Sequence, residues 1–429
     1  MKFRMKNKTR RTRFIYLSPL NYGNVFITQV INWLHAFSEA GINFEIFRVS
    51  NVKKILKKEE WSDIAKIKAH YHGKAYKLFL FTNRISFGVL LNFLALASIL
   101  LGDLIRGNNV IIQIRTSGYW APLHLLKKLS KRISIIYDSR AAEAEEIKYG
   151  FKGKIPEKQY NRMINFALYC EKRMVEISDK VFCVSNVMIE YHLSLNPALD
   201  RRKFFLYPCC ADADQFSFST ETRDTMRTKL GIAGKTVLVY SGGIEMSWHI
   251  PDKVFELFAS LEKRHENSFF IVLTPHQVLA ERYRNQYGIS KDNCLITSVK
   301  NSEVVNYLCA ADAAVLLRED VLMNNVASPT KFAEYVMSGL PVIISEHVGD
   351  FSEFVRTNDI GLVLSKQMLE GSFTEAFDYV STKLPELSSR RYSIAQQGKE
   401  LFSKSSKLPA VIAQYKALQS MSPDDISSK

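Results

Sequence analysis

A chain of 429 residues exceeds what one hydrophobic core usually supports, roughly 250 residues, and suits two domains of about 200 each. With 47% apolar and 24% charged residues the composition excludes disordered, collagen-like and disulfide-scaffold classes, and six cysteines in neither zinc-ligand nor secreted-framework spacing point to a reducing compartment. The net charge of +15 is lopsided, the first 210 residues carrying 35 Lys and Arg against 16 Asp and Glu, which draws that half toward nucleic acid, an anionic membrane face or phosphorylated substrates.

Seven basic residues between Lys2 and Arg13 precede an apolar stretch, 14–17, that Ser18 and Pro19 cut short, too brief for a secretory signal. Residues 14–17 are the first expected strand and 18–24 a polar loop holding Gly23. Val30, Trp33, Leu34 and Phe37 then recur at helical spacing until Gly41, before a second strand at 44–49. Residues 85–105 are apolar apart from Ser86, Asn92, Ser98 and Asp103. They approach the length of a membrane span, but a strand at 110–114 follows at once, so the segment reads as a buried or surface-inserted helix.

Further strands are expected at 133–137 and 181–184, each flanked by helical segments, and such alternation marks a parallel sheet covered on both faces. It pauses from Cys209 to about Arg223 and restarts with strands at 236–240, 269–273, 294–296, 313–317 and 342–344. The expected class is therefore α/β: two Rossmann-like, doubly wound parallel-sheet domains, 1–210 and 211–405, with a C-terminal helix and tail at 406–429. Two such sheets bring the carboxyl ends of their strands, where ligands bind, to face each other across a cleft.

The segment 325–345 is the most informative. Ser328 suits an N-cap and Pro329 the first helical position. Thr330 and Lys331 would then offer unpaired N–H groups at the positive end of the helix, with an ammonium beside them, as binding of a pyrophosphate requires. Glu334, one turn along on the face of Thr330, is placed to accept both hydroxyls of a ribose. Gly339 and Pro341 stop the helix before the next strand. An ordinary capped helix between two strands shows the same pattern, so spacing alone leaves both readings open.

In its setting this segment closely resembles the donor-binding signature of the GT-B nucleotide-sugar glycosyltransferases, in particular the family-4 group that builds bacterial surface polysaccharides. Other pieces of the resemblance follow in order: Tyr137-Asp138-Ser139-Arg140 with Glu145 and Glu146, Glu171 with Ser178-Asp179-Lys180-Val181, Tyr240-Ser241-Gly242-Gly243 with Trp248, and Ala310-Ala311-Asp312 leading to Arg318. The resemblance implies a hexosyltransferase-like enzyme that moves a sugar from a nucleotide-sugar donor to a saccharide or lipid-linked saccharide acceptor in surface polysaccharide biosynthesis. It further implies retention and no metal or other cofactor, the donor being a co-substrate. A nucleotide-sugar epimerase on the same fold and a non-catalytic polyanion-binding module are the alternatives.

Carried over residue by residue, the resemblance implies that Glu334 binds the donor ribose, that Ser328, Thr330 and Lys331 wrap the pyrophosphate, and that Gly242 and Gly243 let the backbone approach the phosphates. Arg318 supplies a second positive charge for the leaving diphosphate, or pairs on the surface with Glu319 or Asp320. In the first domain Gly23 admits the donor phosphate or acceptor, or is a simple turn residue. Asp138 orients the acceptor hydroxyl from the cleft side, or is a structural, hydrogen-bonded aspartate; Arg140 faces the acceptor side with it. Lys127, Lys128, Lys131, Arg132 and the basic amino terminus meet anionic lipid headgroups, or form only a solvated face. The expected place is the cytoplasm, peripheral on the inner face of the membrane, with no nucleic acid as partner, because the basic half lacks an RNA-binding motif with interleaved aromatics.

Two departures from the family pattern stand out. Val326 occupies the position eight residues before Glu334 where the family commonly has a second glutamate. Residues 244–249, Ile-Glu-Met-Ser-Trp-His, replace the Arg and Lys that often follow the glycine turn, which shifts weight onto Lys331 and Arg318. Asp212-Ala213-Asp214 imitates a metal-binding Asp-x-Asp but is read as a turn, and Cys209-Cys210 as packing.

Overall fold

The computed structural model describes residues 11–81, 86–265 and 267–420; the basic segment 2–10 and Ile85 lie outside the described residues. The chain forms two compact units. The first takes its residues from Met1–Cys183, Ile189–Tyr207 and Leu408–Lys429, the second from Val184–Met188 and Pro208–Lys407.

The first unit is built on seven parallel strands: β1 (Thr12–Ser18), β2 (Phe44–Asn51), β3 (Ala75–Leu80), β4 (Asn109–Ile114), β5 (Ile133–Ser139), β6 (Lys180–Cys183) and β7 (Phe204–Leu206). Their order across the sheet is β3-β2-β1-β4-β5-β6-β7. The central strands are buried along most of their length because helices cover both faces; all seven residues of β5 are buried. The order reverses between β1 and β4, which creates a crevice beyond their carboxyl ends.

The second unit has six parallel strands: β8 (Thr236–Ser241), β9 (Ser268–Leu273), β10 (Cys294–Thr297), β11 (Ala313–Leu316), β12 (Val342–Ser345) and β13 (Gly361–Leu364), in the order β10-β9-β8-β11-β12-β13. Its reversal lies between β8 and β11. One core of buried side chains runs from Ala211 to Phe402.

The last helix, Lys404–Ser420, starts in the second unit and ends in the first. There Tyr415 is buried among Phe14, Phe37, Phe44 and Phe182, with ring centroids 5.1 to 6.2 Å away, and its hydroxyl donates to Gln113 Oε1 at 2.5 Å. The C-terminal helix is thus part of the first unit's core. Three strands were not anticipated: β3, β7 and β13, the first of which lies at an edge of the sheet with only its two end residues buried.

Candidate functional site

The helix Thr330–Met337 follows β11, and the Gly242–Gly243 turn follows β8, so both stand at the reversal point of the second sheet. The amide N–H groups of Thr330 and Lys331 have no acceptor among the described residues, and neither has that of Gly243. Lys331 Nζ lies 3.0 Å from Glu334 Oε2, the carboxylate being nearly buried. The lysine stem runs beside the turn, since a Cβ at Gly242 would stand 3.9 Å from Lys331 Cε. Gly242 has φ of 150°, a region open chiefly to glycine.

The cap is shifted by one residue from the sequence reading. Pro329 is the N-cap, and the Ser328 hydroxyl, buried, accepts the backbone N–H of Cys209 at 3.1 Å. A hydroxyl turned to that distant amide does not cap the helix, and this leaves the helix amides open to another acceptor. Thr330 is half-buried at the helix start.

Neighbouring side chains lock the glycine turn. Tyr335 Oη accepts from Ser241 N at 2.9 Å and lies 3.3 Å from Ser241 O, which fixes the donor-side helix to the end of β8. Gly243 O accepts from Tyr240 Oη at 2.9 Å and faces His249 Nδ1 at 2.8 Å. Burial, with Arg318 second, pushes His249 down to about 4, so the ring is neutral and donates through Nδ1. His276 Nδ1 accepts from Ile244 N at 3.2 Å, and its Nε2 stands 3.3 Å from Glu245 Oε2. Sequence reasoning missed Tyr240, Tyr335, His249 and His276, because each acts through a tertiary contact that no local spacing announces.

Arg318 stands two residues past the end of β11. Its backbone is pinned by Ser345, whose Oγ accepts from Arg318 N at 2.8 Å and donates to Arg318 O at 3.0 Å. The guanidinium makes no ion pair among the described residues, so neither Glu319 nor Asp320 neutralises it, and burial lowers its pKa. It lines a cavity of about 320 Å³ with Lys253, Ser345, Glu346 and His347.

In the first unit Asp138 is 1% exposed. Its carboxylate accepts from Tyr16 Oη (3.3 Å), Gln113 Nε2 (3.2 Å), Arg115 Nε (3.0 Å) and Arg140 Nε (2.6 Å). Burial would raise its pKa, but Arg140 and Arg115 together hold it below the usual carboxylate range. Four donors thus occupy this carboxylate, the pattern that a structural, hydrogen-bonded aspartate would show. Arg115 continues the chain of contacts, donating to Gln29 O at 2.9 Å. Gln29 belongs to a π-helical turn, Ile27–Ile31, just beyond Gly23, and such turns concentrate at functional sites. Asp138 therefore braces the Gly23 loop through Arg115. Gly23 itself has open space where a Cβ would be. Arg140 also lies over the Tyr207 ring at 4.2 Å.

Glu171 accepts from Glu143 N at 2.6 Å and Tyr191 Oη at 2.7 Å, closing the start of the helix Glu143–Phe151; burial pushes it up to about 7. Asp212 accepts from Asp214 N at 3.1 Å, a local turn. All six cysteines are buried.

Residues 222–397 match one family model, glycosyl transferases group 1. The chain is a glycosyltransferase. Its fold is GT-B, shared with solved structures at low identity. A glycosyltransferase from Rickettsia africae aligns over 96% of this chain and 100% of its own at a TM-score of 0.64 and 16% identity. HepE from Anabaena, in complex with UDP, gives 95%, 100%, 0.63 and 12%. WaaG, a glycosyltransferase involved in lipopolysaccharide biosynthesis, gives 94%, 99%, 0.57 and 14%. No curated protein matches the sequence of this glycosyltransferase.

Proposed function

We infer that the glycosyltransferase takes a sugar from a nucleoside diphosphate donor and transfers it, with retention and without a metal, to a saccharide or lipid-linked saccharide acceptor in surface polysaccharide synthesis. One observation carries this reading: open amides at Thr330 and Lys331, an ammonium, a carboxylate one turn along and a glycine turn converge on the reversal point of the second sheet. The amides and Lys331 would grip the pyrophosphate while Glu334 accepts the ribose hydroxyls. Arg318, at the end of the adjacent strand, would stabilise the charge that develops on the departing diphosphate. UDP is the first candidate for the leaving group, since the Anabaena relative holds it. Buried, reduced cysteines suit a cytoplasmic site of action.

The test is a thermal-shift screen against UDP, GDP, ADP and CMP. A ligand at a hundred times its Kd should stabilise the native state by about 2.7 kcal/mol. One diphosphate is expected to raise the melting temperature, and Glu334→Ala and Lys331→Ala to abolish the rise. Full protection and full transfer rates in both variants would refute the assignment.

A further inference from the structure

The helix Ser86–Arg106 is apolar on two opposite sides. Its inner side packs on the first sheet, with Leu96 and Leu100 buried near Ile15, Leu17, Phe47 and Ile112. Asn92 ties it further, donating to Phe81 O at 3.0 Å and accepting from Phe81 N at 2.8 Å. The outer side carries Phe87, Leu90, Leu94, Leu101 and Ile105 at three-, four- and seven-residue intervals, between 48% and 76% exposed. Ser98 fills the gap in that row, and its hydroxyl donates to Ala95 O at 2.8 Å, so it brings no unmet donor. The helix Trp120–Leu129 packs beside it and adds exposed Leu125 and Leu129. Single apolar residues on a surface are ordinary; a continuous row of large ones marks an interaction face.

The charges around this row select its partner. Asp103, the helix's one acidic residue, turns inward to Arg13 and Asn108, each at 2.9 Å. Arg106, Lys128 and Lys131 are exposed. The Arg132 Nε would lie 3.9 Å from a Cβ on Gly107, so this basic cluster abuts the end of the helix. A second copy of the chain would bring the same positive rim against itself, whereas an anionic lipid leaflet offers acyl chains for the leucines and headgroups for the cations.

We propose that this face docks the protein on an anionic membrane, the helix Ser86–Arg106 lying in the plane of the interface with its outer row inserted. The segment Phe87–Arg106 is long enough to cross a bilayer, but its inner row is committed to the sheet. The use of such docking, access to a lipid-linked acceptor, rests on the proposed activity; the docking itself does not.

Cosedimentation with vesicles of one part phosphatidylglycerol to two parts phosphatidylcholine tests it, with transfer to a water-soluble acceptor measured alongside. The wild type is expected to pellet with these vesicles and not with pure phosphatidylcholine, and Leu94→Glu/Leu101→Glu to stay in the supernatant while transferring sugar at the wild-type rate. Vesicle binding by a wild type that transfers no sugar sustains the docking and refutes the activity instead. Should the double variant misfold, Lys128→Glu/Lys131→Glu carries the test and should bind more than tenfold more weakly, each basic residue near an anionic surface contributing about fivefold. A wild type that ignores both vesicle types, or variants that pellet as it does, overturns the proposal. So does a dimer in solution that the leucine exchanges split, which would assign the face to a second copy.

Discussion

Arg318 is a half-buried cation whose desolvation lowers its pKa, without a carboxylate partner among the described residues. Such a group weakens a fold until an anion arrives, because the desolvation cost is met by no local charge, and active sites commonly store cost of this kind. Arg318→Met is therefore expected to leave the ligand-free protein as stable as the wild type or about 1–2 kcal/mol more so, while lowering kcat about 10²- to 10³-fold. Urea titration and steady-state rates read the two effects separately. A variant that is less stable yet fully active would give Arg318 a structural role alone. The residues of this site divide by the range of the signal that reveals them. The placing of Lys331 and Glu334 on the first turn of a helix was legible in the sequence, because a helix start is encoded within a few positions. The donors around Asp138 were not legible, because they include Tyr16, 122 residues away, and no spacing reports that.

The helix that offers the open amides is clamped at its other end. Arg391 is 2% exposed, and its guanidinium donates to Ser338 O (2.9 Å), Gly339 O (3.2 Å), Cys309 O (2.9 Å), Ala311 O (2.7 Å) and Leu308 O (3.3 Å). It satisfies the carbonyls at the end of the helix Thr330–Met337 and ties them to the end of the helix Val304–Ala310. Arg391→Met would strand these acceptors in a buried setting, and a loss of about 3–5 kcal/mol is expected by denaturant unfolding, with weaker nucleotide protection because the helix start is no longer held in place. Unchanged stability would mean that water replaces the guanidinium. The elements legible in the sequence were those dense in apolar residues, such as β4, β5 and β9, because burial on both faces demands it. β3 escaped because Tyr76 is exposed within Ala-Tyr-Lys-Leu-Phe-Leu, and β7 because three residues carry no period. Arg391 itself sits in a polar stretch where nothing local predicts burial.

Each unit has its own core, yet the chain closes the first one last. Val411, Tyr415 and Leu418 are buried, and Tyr415 fills the space between Phe14, Phe37, Phe44 and Phe182. The side chains it meets come from β1, β2, β6 and the helix Asn32–Glu39, so the first unit lacks part of its core until residue 415 has been made. Tyr415→Ala removes a large ring from this cage and leaves the Gln113 carbonyl without its donor, and a cost of about 3–5 kcal/mol to the first unit is expected. Removal of residues 408–429 takes all three side chains and should cost more. The second unit keeps its sheet, its glycine turn and the helix Thr330–Met337 in both variants, so nucleotide should still raise its melting temperature. Calorimetry with and without UDP decides the matter: a lowered, UDP-insensitive transition beside an intact UDP-responsive one is the expected record. If the UDP response vanished together with Tyr415, the nucleotide site would depend on the first unit's core.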